Sequence, residues 1–191
     1  MGVDRYGKRD MKSFKSELLG TPDYTQPINQ KQKGNRNEVQ AAKVLSSWTG
    51  ARFARTPMSG GLHWDHESVS GDVVCITRGF DFMFSVETKH YASFRVDKVL
   101  RSNSRIIRIF DQAINDALEA GKYPLLLLRS NGMPKGDYYV FLNVAKEFIK
   151  LLSCPIISEA DNLYGVYSTD LFKTVSYKEL KNYLYLSHGK H

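Results

Sequence analysis

Apolar and polar positions alternate most cleanly between residues 82 and 89. Phe82, Phe84 and Val86 share one parity of an extended strand, and Glu87 and Lys89 share the other. The pattern predicts a strand with one face toward a core and a carboxylate and an ammonium side by side on the opposite face. An earlier apolar run, Asp72-Val73-Val74-Cys75-Ile76, opens on a carboxylate at its polar edge, and Arg78-Gly79-Phe80-Asp81 supplies a turn between the two. The runs are therefore expected to pair as a hairpin that brings Asp72 beside Glu87.

Elsewhere the period changes to that of a helix. Val39, Ala42, Val44, Leu45 and Trp48 predict an amphipathic helix over residues 35–48 that stops at Thr49-Gly50. Ile106, Phe110, Ala113, Ile114, Ala117 and Leu118 predict a second over residues 105–120, ending at Gly121. The continuous run Tyr123-Pro124-Leu125-Leu126-Leu127-Leu128 reads as a buried central strand, with residues 137–143 as its neighbour across glycine-containing turns. The expected class is α/β, with a central mixed β-sheet flanked by helices. Residues 1–33 are polar, rich in Lys and Arg and broken by Gly20, Pro22 and Pro27, so they read as a mobile basic arm ahead of one domain spanning 34–191. Within that domain, 145–191 is expected to be an elaboration. The alternation at Leu163, Gly165 and Tyr167 and a helix over 177–184 suggest extra packing or a dimer surface.

Composition narrows the partners. The chain has 191 residues, 42% hydrophobic and 25% charged, enough for one domain with a sizeable core. A formal net charge of +7 points to a polyanionic partner, as ribosomal, membrane-surface and nucleic-acid-binding proteins all have. Cys75 and Cys154 lie too far apart for a zinc spacing, so reduced, buried thiols and a cytoplasmic setting are expected. No apolar run reaches the roughly 18 residues of a membrane span, and residues 1–15 lack a signal-peptide core.

Two carboxylates brought together repel unless a cation sits between them, and hard oxygen donors suit Mg²⁺, or Mn²⁺ in its place. Lys89 adds a point charge that can orient or help deprotonate an attacking water. For an isolated Glu-x-Lys a solvated strand face would be the plainer explanation. Glu38, in the first turn of the first helix, is explained equally by the helix dipole. Four possible ligands, His63, Asp65, His66 and Glu67, crowd one loop, where a polar surface excursion is the plainer reading than a zinc site.

Several ordered motifs change that weighting. Lys33-Gly34-Asn35-Arg36-Asn37-Glu38 opens a helix, Phe53-Ala54-Arg55-Thr56-Pro57-Met58-Ser59 follows, and then come the Asp72 strand, the Glu87-Thr88-Lys89 strand, a helix and an apolar strand. In this order they resemble the PD-(D/E)xK nuclease superfamily, and within it the archaeal-type Holliday junction resolvases and their phage relatives. Gly71 stands where the superfamily name has proline, Thr88 where many relatives have cysteine, and the loop from Gly60 to Ser70 is longer than its archaeal equivalent.

The resemblance implies a restriction-endonuclease-like core and a Mg²⁺-dependent, structure-selective DNA endonuclease. Asp72 and Glu87 would bind metal, Glu38 would complete that site or hold a water, and Lys89 would help activate the water. Arg55 and Ser59 match positions near the scissile phosphate, and Gln112 a helix position near the site; Arg36 and Arg52 are further candidates for DNA. Arg95, Lys98, Arg101, Arg105 and Arg108 recur at three or four residues and would form one phosphate-binding stripe on a continuous helix. The 60–70 loop would be a lid touching junction DNA. Paired cuts in a four-way junction imply a homodimer acting in the cytoplasm, the host's for a phage protein. The alternatives are a nicking, restriction-like or end-processing nuclease with the same chemistry, or, more distantly, a non-catalytic nucleic-acid-binding protein.

Overall fold

A computed structural model of the chain describes residues 30–56, 70–93, 105–144, 148, 155–160 and 163–188. Helix α1 (Gln30–Thr49) leads into β1 (Phe53–Arg55), β2 (Val73–Cys75) and β3 (Phe84–Tyr91). Helix α2 (Arg105–Glu119) then connects to β4 (Tyr123–Ser130) and β5 (Tyr139–Asn143), followed by β6 (Ile156–Ala160), β7 (Leu163–Tyr167), α3 (Ser168–Thr174) and α4 (Tyr177–His188). The seven strands form one sheet in the order β1-β2-β3-β4-β5-β7-β6. Only the β3–β4 pair is parallel, as its crossover through α2 requires, and every other neighbouring pair is antiparallel. This is the expected α/β fold with a mixed sheet and a restriction-endonuclease-like core.

Both faces of the sheet are covered, which explains why β4 reads as a continuous apolar run. Leu125, Leu126, Leu127 and Leu128 are all fully buried, each worth about 1.5–3 kcal/mol of burial. Leu125 and Leu127 join Leu45 and Ala41 of α1 in the larger core, while Leu126 and Leu128 pack with Phe110 of α2 on the other face.

Three elements differ from the sequence pattern. Helix α1 begins at Gln30 rather than 35, because Gln30–Lys33 contains good helix formers and Gly34 is tolerated inside the helix. Residues 30–33, assigned above to the arm, are thus helical; 1–29 lie outside the described residues. Leu118, counted in the core stripe of α2, is 68% exposed, since it sits at the end of the helix beside a cleft shared with Ile114, Tyr123 and Tyr185. The region after residue 155 extends the sheet itself: β7 pairs with β5 over Leu163–Tyr167, and Leu163, Tyr164 and Val166 are core residues.

The C-terminal helices are fastened to the hairpin end of the sheet by aromatic contacts. Trp48 of α1 donates its indole N–H to Val175 O at 2.8 Å and stacks on Phe172, centroids 4.6 Å apart. The Tyr177 hydroxyl accepts from Met83 N at 2.9 Å and donates to Asp81 O at 2.8 Å, which holds the segment leading into β3. Asp81 also takes Lys181 Nζ at 2.7 Å and the Tyr185 hydroxyl at 3.2 Å.

Candidate active site

Strands β2 and β3 pair at Val73↔Val86 and then part, because the chain bends at Gly71, whose φ is 91°. Only glycine fits here. A Cβ would stand 2.5 Å from Val86 O and 2.8 Å from Val86 N, and the left-handed φ disfavours any side chain. The bend keeps Asp72 against β3. Its N–H donates to Val86 O at 2.7 Å, and its Oδ2 accepts from Thr88 N at 2.8 Å and from Thr88 Oγ1 at 3.3 Å. The Asp72 carboxylate thus supplies an acceptor to the Thr88 N–H at the point where the two strands separate. On the outer edge, Thr56 follows the same bend, donating its N–H to Asp72 O at 2.9 Å and its hydroxyl to Gly71 O at 2.8 Å.

Glu87 and Lys89 share the α2-facing side of β3, as their parity requires, and form an ion pair between Glu87 Oε1 and Lys89 Nζ. Burial raises the Glu87 pKa above the ordinary carboxylate value, and the Asp72 charge raises it further; Lys89 offsets part of this, and Asp116 adds to it. For Lys89, burial alone would lower the pKa. The hydrogen bond and charge of Glu87, with the charge of Asp72, outweigh that loss and leave it raised, so the side chain is an ammonium at neutral pH. Two carboxylates and one lysine therefore meet in one half-buried place.

Glu38 stands on α1 and its Oε2 accepts from Arg55 Nε at 2.9 Å. These two candidates from different motifs are therefore partners, β1 bringing the guanidinium to the helix. Among the described residues no group of three or more acidic, histidine or cysteine side chains gathers as a metal cluster, so Glu38, Asp72 and Glu87 do not form one three-carboxylate set, while the Asp72 charge is felt at Glu87. Gln112 and Arg108 are exposed on α2, Arg36 on α1, and Arg52 just ahead of β1. Arg105 opens α2. Ser59, the His63–Glu67 loop, Arg95, Lys98 and Arg101 lie outside the described residues.

Sequence reasoning missed two features of this region. The Ser85 hydroxyl, on the same strand face as Glu87, is hydrogen-bonded to the Ser70 hydroxyl, which also reaches Asp116 O at 3.3 Å. That links α2 to the start of the acidic segment, and no sequence pattern marks it. Thr88 does point to the opposite face from Glu87, yet its backbone and hydroxyl both anchor Asp72. The signal available was its hydroxyl.

Compared with protein families, residues 29–181 match the family described as "Phage putative PDDEXK endonuclease". The chain belongs to this family. Neither the curated proteins nor the solved structures searched give a match. Membership makes the protein a phage-type PDDEXK endonuclease and implies DNA as the substrate class; PDDEXK nucleases are generally dependent on a divalent metal. The residues of this PDDEXK endonuclease fit such an ion. Asp72 and Glu87 offer hard oxygen donors, and burial together with the neighbouring Asp72 charge raises the Glu87 pKa, a cost to its charged form that a divalent cation would offset. Among the described residues, no helix is long and apolar enough to cross a membrane.

Proposed function

We propose that this PDDEXK endonuclease is a Mg²⁺-dependent, structure-selective enzyme that cleaves branched DNA, in first place the four-way Holliday junction, and that it acts as a homodimer in the host cytoplasm. Mn²⁺ is expected to substitute for Mg²⁺. The observation that carries the reading is the convergence of Asp72, Glu87 and Lys89 where β2 and β3 part. Asp72 and Glu87 would hold the metal, which when bound supplies Lewis-acid polarisation of the phosphate and acidifies water.

The chain's own groups do the rest. Thr88 N–H and Oγ1 fix Asp72 Oδ2, so that carboxylate is oriented before substrate arrives. Lys89 Nζ, seated beside Glu87 Oε1, helps orient the attacking water and presents positive charge to the oxygen anion that develops on the phosphate. Arg55, paired with Glu38, would hold a phosphate oxygen of the strand being cut. Glu38 would support the metal site through this pair or through a water. Arg36, Gln112, Arg95, Lys98, Arg101 and Ser59 complete the proposed DNA contacts, and residues 1–29 would add a basic arm along the backbone.

Cleavage of a labelled immobile four-way junction, compared with linear, nicked and flapped duplexes of the same sequence, tests this reading. Symmetric cuts confined to the junction are expected. Preferential cutting of linear, nicked or flapped DNA would leave the catalytic assignment and replace the junction by a restriction-like, nicking or end-processing substrate.

A further inference from the structure

The sheet carries a second feature on the face that holds the catalytic lysine. Register places Lys89 beside Leu128, Leu128 beside Tyr139, and Tyr139 beside Tyr167, so one cross-strand row runs from the active site through β4 and β5 to β7. At about 4.8 Å per strand, Tyr139 and Tyr167 stand roughly 10 and 14 Å from the Lys89 backbone. The two rings lie 4.7 Å apart, and their hydroxyls are hydrogen-bonded at 3.0 Å, which fixes both in place. Tyr167 is exposed, and it lines an open cleft of about 620 Å³. The remaining lining is the turn Asn131–Pro134 with Asp137 and Thr169. That turn is tied to the end of β3, since Asn131 N donates to Tyr91 O at 3.2 Å, two residues beyond Lys89.

We infer that Tyr167, braced by Tyr139, is a stacking platform for one unpaired base of the DNA strand that leaves the catalytic centre. The inference rests on the nuclease reading above and specifies what that site recognises. A phenol ring stacks on any base, because every base has a π face, but a base inside a duplex has both faces covered by its neighbours. The cleft is within the size range of ligand pockets, and Asn131, Asp137 and Thr169 offer hydrogen-bonding groups to the edge of the base. Lys135 stands exposed in the same loop and offers a cation to the adjoining phosphate. Flapped DNA presents unpaired bases outright, and a base at a branch point or nick has lost stacking continuity and can be swung out at lower cost than one inside a linear duplex, so the platform would supply structure selectivity.

Equilibrium binding by the full chain in EDTA, where no cleavage occurs, tests this. The probes are a branched DNA with 2-aminopurine at an unpaired position and a fully paired duplex of equal length. Wild type and Tyr167→Phe are expected to quench the 2-aminopurine by stacking. Tyr167→Ala is expected to lose the quenching and to weaken branched-DNA binding by about five- to hundredfold, with duplex binding changed by no more than about twofold. Quenching that survives Tyr167→Ala, or equal weakening for both DNAs, overturns the platform. Tyr167→Phe guards against misfolding, since it keeps the ring and removes only the hydroxyl pair. If wild type binds and cuts DNA without quenching, the platform alone falls; if it neither binds nor cuts any DNA, the nuclease reading falls with it.

Discussion

Gly71→Ala puts the geometry of the acidic segment to its most demanding test. The new Cβ would lie 2.5 Å from Val86 O, where real Cβ contacts essentially never come below 3.0 Å. The bend at Gly71 and strand β3 must therefore separate by about half an ångström, and both are backbone, so no side chain can rotate away. The left-handed φ costs an alanine about 1–2 kcal/mol, and forced displacement of packed atoms costs a further ~1–3 kcal/mol. The sum, about 2–5 kcal/mol, is a large share of the ~5–15 kcal/mol that holds a domain of this size together. Gly79→Ala is the control: its φ is also positive, 75°, but nothing lies within 4 Å of its Cβ. It is expected to lose only the ~1–2 kcal/mol of the backbone term.

Urea unfolding of the two variants isolates the cost of the close approach as their difference. Cleavage at saturating Mg²⁺ measures its catalytic consequence, because Asp72 moves with Gly71 while Glu87 stays on β3. A displacement of this size is expected to slow the folded enzyme by about ten- to hundredfold. If Gly71→Ala is no less stable than Gly79→Ala and cuts at the wild-type rate, the account of how Asp72 is positioned is refuted.

Other expectations follow from single contacts. Tyr177→Phe removes the hydroxyl that caps Met83 N and is expected to lower stability by about 1–3 kcal/mol in urea unfolding, with cleavage retained; an unchanged midpoint would contradict the anchoring role. The Asp81 pKa is held below its ordinary 3.8 by the Lys181 hydrogen bond, against a smaller penalty from burial, with help from the Lys181 charge and Tyr185. A lowered carboxyl pKa stabilises the fold above the unfolded value and loses that contribution as pH falls through the folded one. The side chain is largely exposed, so Asp81→Asn is expected to lower stability near pH 6 by under about 1 kcal/mol, with the difference vanishing as the solution is acidified below 3.8. A difference that grows in acid would reverse the sign of the argument. Arg55→Ala is expected to reduce cleavage by at least about tenfold, while Arg55→Lys, which keeps charge but not the fork, recovers only part of it; full activity of Arg55→Ala would remove the residue from phosphate binding.

Much of this fold was legible in the sequence because its signals are local. The alternation through Phe84, Val86, Glu87 and Lys89 fixed the faces of β3, and four consecutive leucines marked β4 as a strand covered on both sides. The antiparallel pairing of the Asp72 segment with the Glu87 strand followed from a turn between two runs. What escaped were features that depend on partners distant in sequence. Glu38 and Arg55 belong to separate motifs, and nothing in their spacing announces an ion pair across 17 positions. The joining of β7 to β5 brings Tyr167 beside Tyr139, 28 positions earlier, which no periodicity within the last third could reveal. Gly71 read as a mere replacement for proline; its positive φ and its contact with Val86 are three-dimensional facts, and a proline could not adopt that φ at all.

The central claim is that Asp72 and Glu87 hold the metal that makes this PDDEXK endonuclease cut DNA. It is tested most directly by incubating the wild type and Asp72→Asn with labelled four-way junction and linear duplex, in Mg²⁺ and in EDTA, while binding is followed in parallel. The account predicts Mg²⁺-dependent cutting by the wild type, a rate for Asp72→Asn lower by about a thousandfold or more, and DNA affinity changed little. Cutting by Asp72→Asn at the wild-type rate, or wild-type cutting that persists in EDTA, would contradict it.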